Sequence, residues 1–375
     1  MRELAVLLLA LSLLAAALNL AVGCGGGSDS DSDSGSGSGE SKSSSGGGSK
    51  PDAAAKAFLD TYVAEDGRVR RIDQGDDTVG EGQAYGMLLA AAVGDENRFD
   101  SIWGWTKDNI RRPDGLLSFL WKDGKVADPE PASDADVDAA RALLVASCRF
   151  KRDDLRDEAL KLGSAILANE TASFQGSPVL VGGPWARNPI IVNPSYFSPA
   201  TFAALATATK DGKWGSLSAT GRSVTELLMP EEGSLPPDWA NVKGGKPVPI
   251  GTPDNPGGTP AYGFDAARTL IRMAEDPDPA GQRIAAQAWP AFEGRKPAEI
   301  PMEHDLSGKP TGGTQHPMAL VAAAGAAQAA GKTADAARLL DAAEKLDKQT
   351  PTYYGAAWVA LGRVMLTSDL LDACP

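Results

Sequence analysis

Pro317-Met318-Ala319-Leu320-Val321-Ala322-Ala323-Ala324-Gly325-Ala326-Ala327-Gln328-Ala329-Ala330, then Gly331-Lys332, then Thr333-Ala334-Asp335-Ala336-Ala337-Arg338-Leu339-Leu340-Asp341-Ala342-Ala343-Glu344-Lys345-Leu346, is the stretch that decides the fold. Alanine-rich runs with apolar residues at three- and four-residue spacing predict α-helix. Two intervening residues leave room only for a tight turn, so the two helices run antiparallel.

Outward from this hairpin the same texture recurs. Helical stretches are expected at about 51–65, 80–94, 97–110, 134–149, 153–168, 196–208, 215–229, 263–275, 277–292, 317–330, 333–346 and 353–367. Strand signals are confined to Val179-Leu180-Val181 and Pro189-Ile190-Ile191-Val192. Connections alternate in character: Asp95-Glu96, Arg152-Asp153 and Gly331-Lys332 are tight, whereas 111–133, 169–195, 230–262 and 293–316 are long and rich in Gly, Pro and aromatics. Helical hairpins with short turns on one side and long loops on the other predict an all-α fold, an (α/α)6 barrel. Its long loops gather at one mouth and build a cleft there.

The helices starting near 80, 134, 196, 263, 317 and 353 would form the inner ring and point their N-termini at that mouth. Their first turns read Gly80-Glu81-Gly82, Ser133-Asp134-Ala135-Asp136, Pro194-Ser195-Tyr196, Phe264-Asp265, Gln315-His316 and Tyr353-Tyr354. One acidic residue in such a place is explained by capping, because Asp and Glu satisfy free N–H groups and face the positive dipole end. Ser133 with Asp136 resembles a capping box. Glu81, Asp134 and Asp265 on one ring, flanked by aromatics, point beyond capping to chemistry. Glycoside hydrolysis needs one protonated and one ionised carboxyl. A helix N-terminus suits the ionised one, so the acid must be raised by burial or by a like charge, for which Asp134 is the candidate beside Glu81. His304 and His316 have no assigned chemistry, and His316 is expected to hold a hydrogen-bonded structural position.

Composition narrows the function classes. The 375 residues carry 36 basic and 49 acidic side chains, a net charge of −13, so no basic face offers itself to nucleic acid. Two histidines and three cysteines, with no Cys-x-x-Cys or His-x-x-x-His spacing, exclude a His-ligand metal centre and leave only an all-carboxylate calcium site open. Neither metal nor cofactor is expected. An acidic chain with a loop-built cleft and scattered Trp suggests a polysaccharide substrate, whose apolar ring faces stack on aromatics. Trp103, Trp105 and Trp214 lie in helical stretches and are expected in the core, whereas Trp121 and Trp185 lie in long loops and are the candidates for sugar stacking.

The first fifty residues stand apart. Residues 5–22 are apolar except for Ser12 and Asn19, and the run ends in Leu20-Ala21-Val22-Gly23-Cys24. Small residues before a cysteine mark a lipoprotein-type signal over 1–24 with lipidation at Cys24; the alternative is an uncleaved N-terminal anchor helix. Either exports the chain and tethers it to a membrane. In residues 25–50, 20 of 26 positions are Gly or Ser, a flexible linker with a root-mean-square span of roughly 28 Å. Residues 51–375 are expected to form one domain, working as a monomer a short distance above the membrane. Export also permits a disulfide between Cys148 and Cys374.

Glu81-Gly82-Gln83-Ala84-Tyr85-Gly86-Met87 resembles the acid-bearing motif of glycoside hydrolase family 8. Ala132-Ser133-Asp134-Ala135-Asp136, continuing through Ala142-Leu143-Leu144, Ala146 and Phe150, is similar to that family's signature, with Ala139 in place of a larger apolar residue. Asn193-Pro194-Ser195-Tyr196-Phe197, Phe264-Asp265-Ala266-Ala267-Arg268 and Tyr353-Tyr354-Gly355 follow in the family's order. The resemblance covers about residues 51–370. It implies an (α/α)6 barrel and inverting hydrolysis of β-1,4-linked glucan, with relatives acting on xylan, chitosan or mixed-linkage glucan. It further implies Glu81 as general acid, Asp265 as the base that activates water, and Asp134 as the residue holding the sugar at the cleavage point. Tyr196 would bind the water and Arg268 would support Asp265, with Tyr353 completing the binding residues. Phe264 departs from the Tyr that many relatives carry before the base, and Tyr262 is the available substitute. The expectation is therefore an exported, lipid-anchored endo-β-1,4-glucanase; the rivals are the same fold on chitosan, xylan or mixed-linkage glucan, and a non-catalytic glycan-binding lipoprotein.

Overall fold

The structure, a computed structural model, describes residues 49–372. The expected signal, the lipidation site Cys24 and nearly all of the linker lie outside these residues. Within them the helices follow in chain order as α1 (Lys50–Tyr62), α2 (Gly80–Val93), α3 (Glu96–Asn109), α4 (Ser133–Arg149), α5 (Asp153–Asn169) and α6 (Pro199–Thr209). α7 (Gly212–Leu228), α8 (Phe264–Ala274), α9 (Pro279–Gln287), α10 (Pro317–Ala329), α11 (Thr333–Gln349) and α12 (Tyr353–Thr367) complete the set; short turns join α2 to α3, α4 to α5, α6 to α7, α8 to α9 and α10 to α11, and α12 packs on α1. The even-numbered helices pack on one another in a closed inner ring and the odd-numbered ones lie outside it, the (α/α)6 barrel expected from the sequence.

Burial follows the two rings. In α2 only Glu81 and Val93 are not buried, and in α10 only Gln328 and Ala329. The outer helix α11 buries Ala336, Leu339, Leu340 and Ala343, the single stripe of a helix with one face in water. Alanine-rich inner helices approach closely because their side chains are short. The expected boundaries hold within a few residues, the largest differences being at α6, whose first turn is a separate 3-10 turn at Pro194–Tyr196, and at α9, which ends before a 3-10 turn at Trp289–Ala291. Ser49 opens α1 with a true capping box to Asp52, so the folded part starts slightly earlier than Pro51.

Two strand expectations are realised, as β5 (Ser177–Leu180) and β6 (Ile191–Val192), and six further short strands correct the sequence reading. β1 (Thr78–Val79), β2 (Leu120–Lys122) and β3 (Lys125–Asp128) form one antiparallel sheet, β4 (Thr171–Phe174) pairs with β5, and β7 (Trp239–Lys243) joins β6 to β8 (Lys246–Ile250). All lie in or beside the long connections. Three of them are hairpins closed by two residues of positive φ: Asp123-Gly124, Gln175-Gly176 and Gly244-Gly245. Such turns match the right-handed twist of paired strands. Strands this short and half-exposed carry too little apolar alternation to stand out, but the turn dipeptides were legible.

Cys148, in the last turn of α4, is disulfide-bonded; Cys374, its expected partner, lies outside the described residues. Among the described residues no helix is long and apolar enough to cross a membrane.

Candidate active site

β1 runs directly into α2, and Thr78 pairs with Trp121 of β2. Glu81, in the first turn, shares a helix face with Tyr85 one turn on, whose hydroxyl donates to Glu81 Oε2 at 3.5 Å. Gln83 faces the other way and ties α2 to its surroundings, accepting from the Val69 N–H at 2.6 Å and donating to Thr106 Oγ1 at 2.9 Å. Gly82 is required by close approach: a Cβ there would lie 2.6 Å from the Tyr353 hydroxyl.

The three carboxylates expected at one end of the barrel are brought together by Arg268. Its Nη1 donates to Asp134 Oδ2 at 2.6 Å, to Glu81 Oε2 at 3.3 Å and to the Tyr85 hydroxyl at 3.2 Å, while Nη2 donates to Asp265 Oδ1 at 2.7 Å. The guanidinium lies over the face of Tyr196, 5.3 Å from its centroid. Exposure separates the members. The side chains of Arg268 and Asp134 are 2% and 3% exposed, whereas Glu81 keeps 20% and Asp265 35%. The two carboxylates that face the mouth are thus held on separate nitrogens of one buried cation.

One guanidinium cannot balance three ionised carboxyls. Burial pushes Asp134 up to about 8; Arg268 opposes the rise and the charge of Glu81 adds to it. Burial also holds the Tyr196 and Tyr354 phenols well above their usual range, which keeps both as O–H donors. Below Arg268 the same stripe of α8 continues with Arg272, which donates to Asp138 Oδ2 at 2.5 Å and lies over Trp358, so the barrel axis is lined by successive arginines.

None of the three carboxylates caps its helix through an N-cap side chain; the N-caps of α2, α4 and α8 are Val79, Ala132 and Gly263. The capping box read into Ser133 and Asp136 is not formed. Ser133 donates to the Val181 carbonyl at 2.6 Å, and Asp136 Oδ1 accepts from the Leu117 N–H at 2.9 Å. Ser133 already sits inside the helix, so its hydroxyl cannot reach back to the N3 amide, and the loop partners take it instead.

The aromatics divide as follows. Trp103, Trp105 and Trp214 are buried. Trp121 is half-buried, edge-on to Trp105 at 5.3 Å and covered on one face by the Arg68 guanidinium at 5.0 Å. Trp185 is half-buried and donates its indole N–H to the Pro131 carbonyl at 3.1 Å. It leans on Trp239, which in turn meets Tyr196 edge-on at 5.7 Å, so an aromatic row leads to Arg268. Tyr353 is 1% exposed, its ring packed against Phe58 and Tyr62, so it does not open to the mouth. The phase of α12 turns its neighbour Tyr354 there instead, with the hydroxyl donating to the Phe264 carbonyl at 2.9 Å. Tyr262 packs between Phe292 and His304 and does not replace the hydroxyl missing from Phe264. His316 caps α10 by accepting from the Met318 N–H at 3.2 Å, the structural position expected of it.

Sequence reasoning gave no site role to Tyr85, Tyr354, Trp239 or Asp238. Tyr85 was findable, one helical turn after Glu81. Asp238, in the 230–262 loop, accepts from the Ala266 N–H at 2.7 Å and the Gly263 N–H at 3.1 Å, bracketing Asp265. Desolvation, then the charge of Asp265, pushes it up to about 7. No local signal links residues so far apart in sequence. Among the described residues no group of three or more His, Cys, Asp or Glu is arranged to hold a metal ion.

Residues 45–366 match the family model described as glycosyl hydrolases family 8. The chain is 30% identical over 237 residues to a probable endoglucanase of Novacetimonas hansenii, a match covering 59% of this chain and 67% of that protein. It is also 30% identical over 239 residues to an endoglucanase of Cellulomonas uda, covering 60% of this chain and 64% of that one. The endo-beta-1,4-glucanase CMCax from Acetobacter xylinum superposes with a TM-score of 0.71 at 27% identity, over 84% of this chain and 99% of that chain.

Proposed function

The chain belongs to glycosyl hydrolases family 8, and from that premise we propose that it is an exported, lipid-anchored endo-β-1,4-glucanase that inverts the anomeric carbon. The observation that carries the proposal is the gathering of Glu81, Asp134 and Asp265 on Arg268, with Glu81 and Asp265 alone retaining substantial exposure. In this reading Glu81 protonates the glycosidic oxygen as it leaves. Asp265, paired with Arg268 at 2.7 Å, takes a proton from the water that attacks the anomeric carbon. Asp134, buried and bonded to Arg268, orients the sugar at the bond being cut. Trp121 and Trp185, the half-buried rings of the loops, offer surface for neighbouring sugars, with Trp239 and Tyr196 packed behind Trp185. Export and anchoring at Cys24 rest on the apolar run and lipobox-like ending of residues 5–24.

Proton NMR of the first-formed product from a cello-oligosaccharide tests the mechanism. The α-anomer is expected first, with β appearing only by mutarotation; β-anomer at the outset means retention and moves a nucleophile's role to Asp134 or another carboxylate. Run beside carboxymethyl cellulose, xylan and chitosan, the same preparation is expected to cleave the cellulose derivative fastest.

A further inference from the structure

We propose that Asp238 is the positioning residue of the proposed base: it fixes the first turn of α8 by taking the Gly263 and Ala266 backbone N–H groups, which lie on either side of Phe264-Asp265. The inference rests on the reading of Asp265 as the base. α8 begins with Gly263 at its N-cap position and receives no cap from that residue's side chain, so its free N–H groups need an outside acceptor. Asp238 Oδ1 supplies it, at 3.1 Å from the Gly263 nitrogen and 2.7 Å from the Ala266 nitrogen. The fit is close: a Cβ on Gly263 would lie 2.6 Å from Asp238 Oδ2. Asp238 is itself fixed, since its own N–H donates to the Ala261 carbonyl at 2.9 Å, and its chain neighbour Trp239 belongs to the aromatic row. One carboxylate therefore couples the loop that lines the mouth to the helix turn that carries the base.

Asp265 is gripped at one oxygen by Arg268 and is otherwise the most exposed member of the cluster. Its aim at an attacking water depends on the backbone beneath it, and small displacements of a catalytic group cost turnover steeply. An amide at position 238 still offers an oxygen to both N–H groups, whereas a methyl group offers none. That difference separates positioning from charge.

The test compares Asp238→Ala, Asp238→Asn and Asp265→Asn in the full chain on soluble cellulose derivative. Asp238→Ala is expected to lose roughly 10- to 100-fold in kcat with KM within about twofold, and Asp238→Asn to recover most of that loss. Both should melt within about 4 °C of the parent, since one helix cap is at stake. Wild-type kcat in Asp238→Ala overturns the inference, as does an Asp238→Asn variant as impaired as the alanine, which would assign the effect to charge. Asp265→Asn separates the two levels. If it is inactive while Asp238→Ala turns over normally, only the inference fails; if it keeps full turnover, the base assignment fails and the inference with it.

Discussion

Glu81 meets the Arg268 guanidinium at 3.3 Å and the Tyr85 hydroxyl at 3.5 Å, and it caps no helix. Its carboxyl can therefore be changed with little structural consequence. Glutamine keeps the size and still offers an oxygen to Arg268, but it has no proton to give a leaving oxygen. Glu81→Gln is expected to reduce kcat by about 10²-fold to 10⁴-fold or more, with a thermal melt within a few degrees of wild type. Activity lost in step with the melt, followed by circular dichroism, would instead make Glu81 a structural residue. The contrast between Tyr353 and Tyr354 belongs to the same scale. Adjacent residues on a helix point about 100° apart, so sequence placed a tyrosine pair at the mouth without saying which ring turns to the seam against α1 and which to Arg268.

At the scale of elements, the start of α4 is locked from below by a pair of acids. Asp136 and Glu170 are fully buried; one Asp136 oxygen and both Glu170 oxygens have no donor, while the two side chains face each other. Burial drives both well above the usual carboxyl range, and each raises or restrains the other, so one proton is shared between them. The folded protein then keeps a proton that the unfolded chain releases above its ordinary carboxyl range, and stability must fall as pH climbs from there toward the folded value. Glu170→Gln mimics the protonated acid and removes that dependence. From urea unfolding between pH 5 and 8, the wild type should lose stability more steeply than the variant, by up to about 1.4 kcal/mol per pH unit; parallel slopes would refute the shared proton. Helices were legible at this scale because alanine-rich runs and tight turns are local signals. Of the three glycine-closed hairpins only β5 was legible as a strand, from Val179 and Leu180, since strands of a few half-exposed residues have little pattern of their own. The site was legible where a carboxylate sits in a helix's first turn, as with Glu81, Asp134 and Asp265. Asp238 was not, because its two hydrogen bonds exist only once loop and helix are folded together.

For the whole molecule, the decisive contact is between the first helix and the last. α1 buries Pro51, Ala55, Phe58, Leu59 and Tyr62, and its aromatic rings meet Tyr353 of α12. Lys50 reaches Asp341 at 2.9 Å, and Arg363 of α12 pairs with both Asp341 and Glu344. The exposed Lys50–Asp341 pair adds little; the apolar seam is what closes the ring. Burying a side chain such as Phe58 or Leu59 contributes roughly 1.5–3 kcal/mol, against a total stability of about 5–15 kcal/mol for an ordinary domain. Removing α1 would take several such side chains away and uncover the facing surfaces of α12 and α2, which carry Tyr353 and Glu81. Residues 1–48, by contrast, are mostly a signal-like run and a Gly/Ser-rich stretch with no apolar side chains to add to a core. Two truncations should therefore differ sharply. A chain beginning at Ser49 is expected to melt cooperatively and to cleave soluble substrate at the full-length rate. One beginning at Val63 is expected to show no cooperative melt by circular dichroism and no turnover. Activity in the shorter chain would mean that the ring closes without α1, and a large loss in the longer one would move part of the function into the first 48 residues.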